Sequence, residues 1–161
     1  MVVRIVTVCL GNICRSPIAQ VVLADRLRQV GIEGTVESAG TGSYHLGSPM
    51  DPRAAAALRR VGLDPSHHRA RQFTEDWFDR FDLVLAMDHS NLRDLERLGA
   101  GKAGLPRVSL FREFDPEAAG DLDVADPYFS GDSGAEFDET VAIAQRTGTA
   151  LVEGLLRQEG L

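Results

Sequence analysis

Val8-Cys9-Leu10-Gly11-Asn12-Ile13-Cys14-Arg15-Ser16-Pro17 lies between an apolar run and a helical pattern, and that position decides the fold. The run before it, Val2 to Val8 with Arg4 as its one charge, predicts a buried parallel strand. After it, Ser16 reads as an N-cap and Pro17 as the first helical residue, where a missing N–H costs nothing. A loop between a strand end and a helix N-terminus collects unpaired N–H groups and the positive end of the helix dipole. Such a loop binds phosphate.

Three residue choices sharpen this reading. Gly11 and Asn12 tolerate the left-handed backbone that a tight loop with inward amides requires. Arg15 carries a permanent, forked charge that can hold two oxygens of one phosphate. Cys9 opens the loop, so its sulfur lies at the floor of the cradle. A thiol among amides, a helix N-terminus and a guanidinium is held as thiolate, a nucleophile aimed at phosphorus.

Outward from the loop, strands and helices alternate. Ile18, Val21, Val22, Leu23, Leu27 and Val30 form a helical stripe that Gly31 ends. Thr35–Ala39 reads as a second strand, and Gly40–Pro49 as a loop whose glycines lack dinucleotide-binding spacing. Pro52–Val61 is helical, Asp64–Gln72 a polar connection, and Thr74–Phe81 a short helix with Trp77, Phe78 and Phe81 inward. Leu83–Met87 is a buried strand, and His89–Leu98 a helix with Leu92, Leu95 and Leu98 inward. Arg107–Leu110 is the last strand. Phe111–Asp132 is long, acidic and without period, the kind of loop that is functional or disordered. The closing helix starts at Ser133, where Glu136 completes a capping box, and Gly148 sits inside it. The alternation predicts a single α/β domain over residues 1–161, with a parallel sheet, helices on both faces and the phosphate-binding loop after strand 1. Ligands bind such sheets at the carboxyl ends of the strands, where Cys9 lies.

Composition narrows the function classes. The chain of 161 residues carries 43% hydrophobic and 25% charged side chains, which suits one globular domain with a real core. A formal net charge of −7 argues against a general nucleic-acid or anionic-membrane binder. The first apolar run is short, contains Arg4 and lacks a small-residue cleavage site, so it reads as a strand rather than a signal peptide. Cys9 and Cys14 stand too close to frame a fold by disulfide, which points to a reducing, cytoplasmic setting. Cys14 reads either as core or as a partner that traps oxidised Cys9. Two Cys and four scattered His lack zinc-site spacing, and no metal or cofactor is expected.

Attack on phosphorus needs a proton donor for the leaving group. On residues alone the donor stays open, because Asp51-Pro52, Asp64-Pro65, Asp115-Pro116 and Asp126-Pro127 all suit simple turns.

Cys9, five residues, then Arg15-Ser16, directly after an N-terminal strand, resembles the signature of the low-molecular-weight protein tyrosine phosphatases. The resemblance extends over nearly the whole chain. It implies a four-stranded sheet of order 2-1-3-4 and phosphate held by Leu10, Gly11, Asn12, Ile13, Cys14 and Ser16. It implies that Asp126-Pro127-Tyr128-Phe129 is the acid loop, with Asp126 as acid and then base, and Phe129 standing where a second Tyr is usual. Tyr44, Tyr128 and Phe129 would wall the pocket, and His45 replaces an acidic residue of some relatives. Ser16 resembles the hydroxyl that donates to the thiolate. Asn12, Ser38 and His68 resemble a buried network behind the loop, and Asp88 falls near the cradle.

The function implied is hydrolysis of phosphotyrosine in proteins through a phosphocysteine, with phosphate and other oxyanions as inhibitors. An arsenate reductase on the same scaffold would relay electrons through further cysteines, and none stands beyond Cys14. A phosphoarginine phosphatase resembles this pattern with Thr in place of Ile13. A phosphotyrosine-binding module without turnover would need no nucleophile.

Overall fold

Four segments become strands, the mostly apolar β1 (Val3–Cys9) and β3 (Leu83–Ala86) and the more polar β2 (Gly34–Gly40) and β4 (Arg107–Leu110). The protein is described by a computed structural model over residues 2–131 and 133–157. Asp132, where the acidic stretch ends, lies outside the described residues. All pairings are parallel and the order is β2-β1-β3-β4, as the resemblance implies.

Side-chain alternation along the central strands sends residues to opposite faces. From β1 and β3, Val3, Ile5, Leu83 and Leu85 pack on one face with α1 (Arg15–Val30), α2 (Pro52–Arg60) and α4 (Ala135–Leu156). Val6, Val8, Val84 and Ala86 face the other way, onto Phe73, Trp77, Phe78 and Phe81 and onto Leu95 of α3 (His89–Gly99). Both faces of the central strands are therefore covered, which is why their sequences run mostly apolar, with Arg4 and Thr7 of β1 the exceptions. The crossovers leave the carboxyl ends of β1 and β3 on one edge, beside each other.

Several local expectations are corrected. The first helix begins at Arg15 with Cys14 at the cap position and no side-chain cap, so Ser16 is not the N-cap and Pro17 is third in the helix. Pro17 is still tolerated, because the first four N–H groups of any helix lack an internal partner. Gly31 does end the helix, with φ +74°. Gly134, in a left-handed conformation, holds the cap position of α4 rather than Ser133, whose hydroxyl donates to the Glu136 side chain and accepts from the Ala135 amide at 3.5 Å. Val30 and Leu98, expected inward, are exposed. Thr74–Phe81 forms a 3₁₀ helix over Glu75–Arg80, and the acidic stretch contains two more, Phe111–Phe114 and Pro127–Phe129.

Gly148 is buried in α4 against α1, yet a Cβ there would meet Leu23 at 3.5 Å and Arg26 and Val22 at 3.7 Å, ordinary contact distances. Gly148→Ala is expected to add roughly 1 kcal/mol through helix propensity and raise Tm by about 2–4 °C. Thermal unfolding checks this, and a lowered Tm would mean that α1 and α4 cannot admit the methyl.

Candidate active site

Cys9 is the last residue of β1, and the chain must turn at once from the strand into α1. Asn12 takes the left-handed conformation this requires, with φ +57°. Gly11 does not, contrary to expectation; a Cβ there would instead crowd the His45 ring at 3.0 Å. The underside of the turn lies on β2, where a Cβ at Gly40 would sit 2.5 Å from the Leu10 carbonyl.

The loop's carbonyls are taken up by surrounding groups. Those of Cys9 and Leu10 accept from the amides of Thr41 and Gly42, that of Ile13 from Asp51, and that of Asn12 from the His68 ring. In a trans peptide the N–H points opposite to the C=O. The amides of Leu10, Gly11, Ile13 and Cys14 therefore turn toward the centre of the loop, where the α1 dipole adds its positive end. The Asn12 amide already points at the Cys9 sulfur, 3.3 Å away.

Behind the sulfur runs a hydrogen-bond chain whose direction is set by groups that can only donate. The Arg71 amide donates to Asn12 Oδ1, so Asn12 Nδ2 must face the other way, toward Ser16 Oγ and Ser38 Oγ, both at 2.9 Å. Ser16 Oγ, having accepted from Asn12, has its proton free for Cys9 Sγ at 3.0 Å. Ser38 in turn donates to Gln20 Oε1. His68 Nε2 lies 2.6 Å from the Asn12 carbonyl, which can only accept, so that nitrogen carries the proton. Burial first, then the charges of Arg71 and Arg69, lower the His68 pKa against the opposing pull of that bond, and the ring is neutral at pH 7.

Arg15 is buried and braced. NH1 donates to Asp88 Oδ2 at 2.6 Å and to the Val124 carbonyl at 2.9 Å. Among the described residues its Nε and NH2 donate no hydrogen bond, and NH2 stands 3.7 Å from Asp126 Oδ2. Burial opposes the guanidinium's charge, but Cys9, Asp88 and Asp126 outweigh it and raise the pKa further. Cys14 differs from Cys9: burial, then the charges of Asp51, Cys9 and Asp126, push its thiol far upward, so it stays protonated. Both cysteines are free thiols.

The acidic stretch closes over this cradle. Val124 donates to the Met87 carbonyl at the end of β3 while its own carbonyl receives Arg15. Arg112, paired with the buried Asp115, donates to the Asp123 carbonyl. Asp126 is part-exposed at the mouth, and its Oδ1 accepts from the Tyr128 amide. A cleft of about 350 Å³ results, lined by residues 9–15 and by Tyr44, His45, Asp126, Tyr128 and Phe129. Tyr128 and Phe129 meet edge to face at 4.9 Å, and His45 faces Tyr128 at 5.9 Å. Tyr44 and Phe129 are 75% and 87% exposed, so their rings form an open rim rather than packed walls.

Every residue that the sequence reading proposes for the site thus lies in or directly behind one cleft. It missed Gln20, Asp51, Arg53 and the Arg71 amide, and left His45 outside the pocket set. Among the described residues no group of three or more His, Cys, Asp or Glu is placed to hold a metal ion, and no helix is long and apolar enough to cross a membrane.

Comparison with known proteins agrees with this geometry. Residues 4–160 match the family model described as low molecular weight phosphotyrosine protein phosphatase. A low molecular weight protein-tyrosine-phosphatase of Streptomyces coelicolor is 44% identical over 163 residues, covering 98% of this chain and 96% of the relative. The crystal structure of Primo-1 superposes with a TM-score of 0.89 at 32% identity, covering 96% of this chain and 99% of that one. The Drosophila arginine phosphatase superposes at 0.86 with 27% identity, covering 94% and 96%.

Proposed function

The chain belongs to the low molecular weight phosphotyrosine protein phosphatase family, and from that premise we propose that residues 1–161 form one catalytic domain that hydrolyses phosphotyrosine in proteins through a phosphocysteine on Cys9. The single observation that carries the mechanism is the convergence on one sulfur: the Asn12 amide and the Ser16 hydroxyl point at Cys9 Sγ, beneath amides turned inward.

The phosphate dianion binds with its oxygens on the loop amides and on the Nε–NH2 edge of Arg15, which fits two oxygens of one phosphate. The Cys9 thiolate attacks phosphorus from the floor of the cradle. An S–P bond forms as the P–O bond to the tyrosine breaks, and protonated Asp126 gives its proton to the departing oxygen. Asp126, now a carboxylate, takes a proton from water; the water oxygen attacks phosphorus, the S–P bond breaks, and inorganic phosphate leaves. Ser16 donates to sulfur each time the anion re-forms. Charge neutralisation falls to Arg15 and the amides, so the scheme calls for no metal.

The aromatic rim favours an aryl ester over an alkyl one. Ile13, which lines the cleft where the resemblance gives phosphoarginine phosphatases a Thr, favours phosphotyrosine over phosphoarginine. Phosphate, vanadate and other oxyanions should compete for the cradle. The test is turnover of an aryl phosphate by the purified protein with a metal chelator present, set beside phosphoarginine, with vanadate as competitor. Turnover of the aryl ester with competitive inhibition is expected. Preference for phosphoarginine, or indifference to vanadate, would overturn the reading.

A further inference from the structure

Arg53 stands in the first turn of α2, outside the cradle and the acid loop, yet its side chain reaches the acid loop directly and the cradle through Asp51. Its anchor is Asp51, a buried carboxylate that caps α2 through the Arg53 amide and accepts from Arg53 Nε and NH2 at 3.1 and 2.9 Å. The backbone N–H of the same Asp51 donates to the Ile13 carbonyl, so the anchor is pinned to the phosphate loop. From there NH2 donates to the Tyr128 carbonyl at 2.9 Å and NH1 to the Gly131 carbonyl at 2.8 Å. The guanidinium also lies over the Phe137 ring at 4.6 Å and the Tyr128 ring at 5.6 Å, which fixes the plane of the fork.

Tyr128 is thereby gripped at both ends of its backbone: Arg53 holds its carbonyl, and its N–H donates to Asp126 Oδ1. We infer that Arg53 is a positioning residue for the general acid, a tether from the phosphate loop through Asp51 to the 128–131 segment that holds the Asp126 carboxyl over the cradle. The inference rests on the reading of Asp126 as the acid. Arg53 does not line the cleft itself. Its loss lets the acid loop drift while the cradle keeps its own braces at Asn12, His68 and Arg15.

The experiment compares wild type, Asp126→Asn, Arg53→Met and Arg53→Lys across aryl phosphates of graded phenol acidity, reading kcat/KM, with the vanadate inhibition constant measured for each. A loosened acid hurts poor leaving groups most. Arg53→Met should lose about tenfold on phenyl phosphate and less than about threefold on 4-nitrophenyl phosphate, a fraction of what a positioned acid contributes. Its vanadate constant should stay within about twofold of wild type, because the cradle amides and Arg15 are untouched. Arg53→Lys keeps a cation beside buried Asp51 and should recover part of the loss.

A purely structural role would lower every substrate equally and weaken vanadate in parallel, and that result overturns the inference. If Arg53→Met does not fold, Arg53→Lys carries the test, and a leaving-group dependence equal to wild type overturns it. A flat Asp126→Asn series removes the acid and the inference together. A steep Asp126→Asn series beside a flat Arg53→Met series removes the inference alone.

Discussion

Cys9→Ser is expected to drop kcat on an aryl phosphate to about 10⁻³ of wild type or below, roughly 4 kcal/mol or more of lost transition-state stabilisation, while phosphate still binds. The reasoning separates two jobs of one cradle. Oxyanion binding belongs to the amides of residues 10, 11, 13 and 14 and to Arg15, none of which depends on sulfur for its place: the carbonyls of 9, 10, 12 and 13 are held from outside, and Arg15 is braced by Asp88 and the Val124 carbonyl. Bond-making belongs to the sulfur alone, and a serine hydroxyl without a base beside it is a poor nucleophile. Phosphate affinity, read by calorimetry, should therefore be equal to or tighter than in wild type, since a neutral hydroxyl does not repel a dianion as a thiolate does. Turnover within about tenfold of wild type would end the nucleophile assignment. Loss of phosphate binding together with turnover would mean that the sulfur supports the loop, contrary to the braces seen here.

The contrast between strand and loop explains how much could be read without coordinates. β1 and β3 were legible because burial on two faces requires a short, mostly apolar run, broken in β1 by Arg4 and Thr7. The cradle was legible because its chemistry sits in consecutive residues. What escaped the residue pattern taken alone depends on the third dimension. Ser16 suits a helix cap by residue type; the resemblance set its hydroxyl beside Cys9, and the fold adds Asn12, which gives that hydroxyl a direction. Gly11 and Asn12 both suited the left-handed turn, but of the two only Asn12 takes the positive φ, held by the Ser16 and Ser38 hydroxyls, the Arg71 amide and His68. The strand order came from resemblance rather than pattern, because apolarity separates the buried β1 and β3 from the half-exposed β2 and β4 but does not say which of the latter lies beside which. Asp51 reads as a turn residue, and nothing in the pattern marks Arg53. Only the fold brings Ile13 to one side of them and Tyr128 to the other.

Asp126→Asn is expected to lower kcat/KM for phenyl phosphate by about 10²–10³, and for 4-nitrophenyl phosphate by less than about tenfold, because a good leaving group needs no proton. The substitution is a clean one on this geometry. Asparagine keeps an Oδ1 to accept from the Tyr128 amide, so the acid loop retains the bond that orients position 126. It removes the proton and the negative charge 3.7 Å from Arg15, and relief of that pair leaves Arg15 to its firmer bonds with Asp88 and Val124. Vanadate should bind as well as in wild type, or better. The second half of the cycle gives an independent check. Once the phosphocysteine has formed, the same carboxylate must activate water, so the Asn variant should release one equivalent of nitrophenol rapidly and then stall. A burst of that size reports a blocked hydrolysis step, and the phosphorylated protein should be recoverable by acid quench. An equal loss for all phenols, with no burst, would show that position 126 transfers no proton, and the acid would then have to be sought among the other carboxylates near the cradle, with Asp88 the first to examine.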